Sequence, residues 1–202
     1  MKKTKEFLFL TVIVLTIAVL LGIMPTEKDA AIYEDTIRLH ILANSDSDED
    51  QQLKYAIRDK LLLKYGEKLS KAGTPVEAEN EAAMLLPEIE SDVDEWIRAE
   101  GYDYSAEVTL GVEWYDTREY ESFTMPKGYY TSLRVMIGEA DGKNWWCVMY
   151  PPLCLDLATE DAPADDALLG YTKEEYALIS ESRYNIKFKL LEVFSEAFSK
   201  NG

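Results

Sequence analysis

At Tyr104 the hydrophobic period of this chain changes, and that change limits the folds open to it more than any other feature. Between residues 48 and 100 apolar side chains recur at helical spacing: Leu53, Ile57 and Leu61, then Leu85, Ile89, Val93, Trp96 and Ile97. Beyond Tyr104 they alternate, as Ala106, Val108, Leu110, Val112 and Trp114 do in SAEVTLGVEWY, and as Leu133, Val135 and Ile137 do in YTSLRVMIGE. A 3.6-residue period lines one face of a helix, and a period of two lines one face of a strand. A strand is also expected at 36–43, TIRLHILA, with Ile37, Leu39, Ile41 and Ala43 on one face and Arg38, His40 and Leu42 on the other. The order strand, helix, helix, three or four strands, helix predicts an α+β fold. Its core is one mixed or antiparallel sheet with helices packed mainly on one face.

Punctuation supports this order. Ser47 is placed to cap a helix whose first turn carries Asp48, Glu49 and Asp50, acids that suit the positive end of the helix dipole. Thr74-Pro75 reads as a cap and first-turn proline, Gly101 as a stop, and Pro87 as a kink or a break into two shorter helices. Asp141-Gly142 predicts a hairpin joining 130–139 directly to NWWCVMY. Residues 155–183 read as a long acidic loop, and 185–199 as an amphipathic helix docked on the sheet through Leu190, Leu191, Phe194, Ala197 and Phe198.

The start of the chain decides its compartment. MKKTKEFLFLTVIVLTIAVLLGIM places lysines before an apolar run from Phe7 to Met24, long enough as a helix to reach nearly across a bilayer core. Basic residues hold the start in the cytoplasm and send the remainder outward. Residues 1–31 are therefore an apolar export helix, either a cleaved signal peptide or a retained membrane anchor, and 32–202 a single extracytoplasmic domain. The formal net charge of −17 argues against a nucleic-acid partner, which needs a basic face.

NWWCVMYPPLC, 144–154, holds both cysteines of the chain. Outside the cytoplasm such a pair tends toward a disulfide. The spacing of Cys147 and Cys154 is neither a thioredoxin-type redox motif nor a zinc pattern, and a structural bridge across the Pro151-Pro152 turn is favoured over two packed thiols. Trp145 and Trp146, adjacent on a strand, must point to opposite faces, so one is expected in the core and the other under a helix or open to a partner. Catalytic sets are poor. His40 is the one histidine, without a G-x-S-x-G elbow or an S-x-x-K pair, and sits in mid-strand beside Arg38. The alternating Asn44, Asp46, Asp48 and Asp50 lack the glycine and glutamate of a calcium loop in either register. No metal or cofactor is expected.

Two long stretches go beyond pattern. RLHILANSDSDEDQQLKYAIRDKLL at 38–62 and NWWCVMYPPLC at 144–154 resemble, in order, two signatures of the stage II sporulation protein R family; KGYYTSLRVMIGEADGKNWW and IKFKLLEVF extend the likeness. The resemblance implies a signalling protein rather than an enzyme. It would be made in the forespore and exported into the space between forespore and mother cell. There it would activate a membrane-embedded protease that processes an inactive sigma-factor precursor. Contact residues for that protease are expected at His40, Asn44, Ser45, Asp46 and Arg58, near the first signature, and at Trp145 or Trp146 in the second. The rival is a cell-wall-associated hydrolase or carbohydrate-binding module using His40, a carboxylate or the tryptophan rings.

Overall fold

The computed structural model describes residues 7, 9–14, 16–17, 27–120, 123–154 and 171–180. Their elements are α1 Glu27–Glu34, β1 Ile37–Leu42, α2 Asp48–Leu61, α3 Glu67–Leu69, α4 Pro75–Ala99, β2 Ala106–Tyr115, β3 Arg118–Glu119, β4 Thr124–Met125, β5 Gly128–Ile137, β6 Asn144–Tyr150 and α5 Lys173–Ser180, with a π-helical turn at Leu62–Gly66 between α2 and α3. The fold is α+β on a mixed sheet, as the periods predict.

The sheet order is β2-β5-β1-β6. β1 is parallel to β5 and antiparallel to β6, and β2 is antiparallel to β5. The hairpin expected at Asp141-Gly142 is therefore not formed, because β1 lies between the two strands it would join. The turn instead bridges the end of β1: Asp141 N donates to Asn44 O at 3.2 Å and Gly142 N to Ala43 O at 2.9 Å. Glycine is required at 142, where a Cβ would press on the Ser45 carbonyl group, its carbon 2.6 Å away.

Insertion of β1 in the centre of the sheet buries both its faces. Leu39 and Ile41 face the long helices, and in register with them lie Leu133 and Val135 of β5. Above that face sit Leu53, Ile57 and Leu61 of α2 and Leu85, Ile89, Val93 and Ile97 of α4, all buried. Each such side chain contributes about 1.5–3 kcal/mol on burial. Both helix starts are capped as expected, Ser47 accepting from Asp50 N and Thr74 from Glu77 N. Pro87 does not divide the second helix, which runs as one element from Pro75 to Ala99. Its side chain sits exposed, and the ring removes one hydrogen bond of the helix ladder.

The two long helices lie on one face, while α1, α5 and the β3–β4 hairpin gather over the other, where the Tyr33 and Tyr130 rings meet at 5.1 Å and the Thr36 and Tyr171 hydroxyls hydrogen-bond. Two further expectations change. Part of the expected acidic loop is helical, since α5 falls inside 155–183 and buries Ile179, with Tyr171 buried just before it. The expected apolar helix over Phe7–Met24 is not supported. Residues 7, 9–14 and 16–17 are helical, but among the described residues no helix is long and apolar enough to cross a membrane. The amphipathic segment 185–199 lies outside the described residues.

Candidate functional site

The two signatures are neighbours in space. β1 and β6 pair antiparallel, setting His40 opposite Trp146 and Ile41 opposite Trp145. The polar residues after β1 close the same end of the sheet. Asn44 Nδ2 and Ser45 Oγ both donate to Asp50 Oδ2, at 2.9 and 2.5 Å, while Asn44 Oδ1 accepts from Glu139 N at 3.0 Å. Asp46 Oδ1 accepts from Lys143 N at 2.7 Å. Buried Lys54 of α2 donates to Lys143 O at 2.9 Å and to Gln51 Oε1 at 2.6 Å. Burial pushes the Asp50 carboxyl upward, but hydrogen bonds from Ser45, Asn44, Tyr104 and Ser47 outweigh it and hold the group below the ordinary carboxylate value. Burial pushes the Lys54 ammonium downward, with Asp46 opposing. Asn44, Ser45 and Asp46 thus tie the end of β1 to the start of β6 and to α2; of the three, Asp46 is the exposed one.

On the face away from the long helices lies a polar network. His40 Nδ1 stands 3.0 Å from Glu113 Oε1, and Nε2 stands 2.8 Å from Asn144 Oδ1. Ser132 Oγ donates to Glu113 Oε2 at 2.9 Å and meets the Tyr115 hydroxyl at 2.6 Å. Both ring nitrogens of His40 are engaged, and the carboxylate sits between serine and histidine. A serine hydrolase needs the histidine in the middle, where it can take the serine proton. This order cannot activate Ser132 as a nucleophile.

Fully buried Arg38 anchors the same face. Its Nε donates to Cys147 O at 3.0 Å and its Nη2 to the Tyr120 hydroxyl at 2.9 Å. Its guanidinium carbon stands 4.4 Å over the Tyr115 ring and 5.2 Å from that of Tyr130. Aromatic faces here offset part of the cost of a buried cation. Burial in turn pushes the Tyr115 and Tyr130 hydroxyls above the ordinary tyrosine range, with Arg38 opposing.

The tryptophans point to opposite faces, as the strand requires, but neither is fully packed nor bare. Trp145 lies under the Arg58 guanidinium at 5.1 Å. Trp146 stacks on His40 at 5.4 Å and is covered by Arg118 at 3.8 Å. Both are half-buried. Cys147 and Cys154 form a disulfide with Cα atoms 6.2 Å apart, as favoured from the compartment. The predicted residues therefore fall into three places joined by the first residues of β6: the Asn44–Asp46 turn, the Arg58–Trp145 pair and the His40–Trp146 stack. Glu113, Arg118, Ser132 and Asn144 complete the last of these and were not singled out in the sequence. Strand parity puts Glu113 and Ser132 on one face, yet only the β1 insertion brings His40 to them.

The family model for stage II sporulation protein R matches residues 33–160. The chain belongs to this family. The match spans every strand of the sheet and the disulfide. A curated relative, "Stage II sporulation protein R" of Bacillus subtilis (strain 168), is 32% identical over 192 residues, covering 86% of this chain and 86% of that protein. No solved structure matches the chain. Membership brings a role in sporulation, and the family is not an enzyme class.

Proposed function

We propose that this chain is an exported intercompartmental signal that binds and activates a membrane-embedded protease, which then processes an inactive sigma-factor precursor. The observation that carries this reading is the union of the two signatures in one β1–β6 pair. The domain acts as a non-enzymatic ligand. It favours the active form of the protease through differential affinity, and each tenfold preference is worth about 1.4 kcal/mol. Contacts come from the β1–β6 end: exposed Asp46, the arginine-covered rings of Trp145 and Trp146, and Arg58. His40, Asn44 and Ser45 act from behind by holding these groups in place. Export rests on the sequence at the start of the chain, where lysines precede the apolar run from Phe7 to Met24.

The test is reconstitution in a bacterium that does not sporulate, expressing the matched protease and sigma precursor with this protein, its residues 1–31 present or deleted. Processing that requires the exported form is expected. Absence of processing with all partners expressed would sink the reading and bring peptidoglycan binding forward.

A further inference from the structure

β2 is an edge strand, and its two halves are treated differently. In an antiparallel pair alternate residues turn their N–H and C=O groups away from the partner strand. On β2 these are the even-numbered residues, because Ala106 N donates outward to Asp94 Oδ1 at 2.8 Å and Val108 N to Glu90 Oε2 at 3.1 Å. Two carboxylates of α4 thus occupy the edge over its first half. The pairing with β5 continues without a bulge to Tyr115, so Leu110, Val112 and Trp114 also direct their backbone groups outward. Among the described residues no group meets those three N–H donors.

The side chains of that open half are unusual for an edge. Val112 is 74% exposed, Trp114 50% and Tyr129, directly opposite Trp114, 65%. The sequence period assigns Val112 and Trp114 to the core, but the long helices stop short of them. Trp114 and Tyr129 pack edge-to-face on each other at 5.0 Å. An unpaired edge with apolar side chains is a template for another strand, and proteins normally blunt such edges. Here Glu90 and Asp94 blunt one half alone.

We propose that the Leu110–Trp114 edge is a strand-addition site that takes an extended, basic segment of the partner protease, with apolar side chains at alternate positions against Val112, Trp114 and Tyr129. A row of outward backbone donors and acceptors selects an extended chain. A helix has no spare backbone groups to meet it, and lipid cannot satisfy it. Charge selects the sign. Glu90 and Asp94 flank the open edge at one end, and exposed Asp116 and Glu119 lie just past the other, in a chain of formal net charge −17. A second copy would bring the same acids against themselves, whereas lysines or arginines would be drawn in.

This assignment rests on the signalling reading above, and the experiment separates the two. In the reconstituted host, full-length chain carries Val112→Pro, Trp114→Ser or, as a control at an exposed apolar residue of α4 away from this edge, Met84→Gln. Proline is tolerated where a strand N–H faces outward but removes the donor an added strand needs. Precursor processing is expected to fall at least tenfold with Val112→Pro and with Trp114→Ser, and to hold with Met84→Gln. A photo-crosslinking residue replacing Val112 is expected to capture the protease, a readout independent of whether the proline variant folds. Wild-type processing by both loss variants would overturn the assignment. So would a crosslink only to a second copy or to the same chain, or no crosslink while processing proceeds. Failure of the wild-type chain itself to trigger processing would sink the signalling reading, and this assignment with it.

Discussion

Asp50→Ala should be among the most damaging single changes at the β1–β6 end, although Asp50 lies in neither strand. Its carboxylate receives the Asn44 amide at 2.9 Å and the Ser45 hydroxyl at 2.5 Å, and Asn44 in turn holds Glu139 N at 3.0 Å. Hydrogen bonds to a charged group are worth about 1.5–3 kcal/mol each, and half-exposure of the donors places these at the low end. The expected loss is about 3 kcal/mol, which for a domain of this size lowers Tm by roughly 6–12 °C. Asp50→Asn keeps the shape and should cost less. Because the native carboxyl sits below its ordinary value of 3.8, its contribution is complete above that pH and lost as pH falls through the lower native value. Wild type should therefore lose stability in acid more steeply than Asp50→Asn. Thermal unfolding followed by circular dichroism between pH 3 and pH 7 reads both effects. A Tm within 2 °C of wild type for Asp50→Ala, or identical acid limbs, would show that the turn is not held as described.

Gly142→Ala puts a Cβ against the Ser45 carbonyl group, and one of the two backbones must move. The expected cost is about 2–3 kcal/mol, read as a lower denaturant midpoint with unchanged slope; an unchanged midpoint would refute it. The Cys147–Cys154 bridge closes a short loop with a sequence separation of 7, so chain entropy gives it about 2–2.5 kcal/mol. Reduction, or the double Cys→Ser variant, should lower Tm, and equal melting of both forms would remove the staple from the account.

Local structure was largely readable from the sequence. Ser47 and Thr74 cap because a short hydroxyl side chain precedes an apolar helical stripe, and that relation is local. The buried stripes of α2 and α4 follow from the same period. What failed was non-local. The Asp141-Gly142 dipeptide has hairpin chemistry, yet the partner strand of β6 comes from residues 37–42, about a hundred positions earlier, and no short-range signal reports it. The same insertion decides that Arg38 and His40 are buried instead of solvent-facing. Val112 and Trp114 alternate like core residues, but alternation reports a shared face and not how far a helix extends over it. At the candidate site the tryptophans were legible as a conspicuous pair. Their arginine covers were not, since Arg58 and Arg118 reach them from separate elements.

This domain is proposed to signal from outside a membrane to a protease within it. The most direct measurement adds purified residues 27–202, shown folded by circular dichroism, to protoplasts of a non-sporulating host that carry the matched protease and sigma precursor. The length of the precursor inside the cells is then followed. Dose-dependent shortening of the precursor is expected while the added domain stays outside. A folded domain that leaves the precursor at full length at every concentration, with the protease present in the membrane, would contradict it.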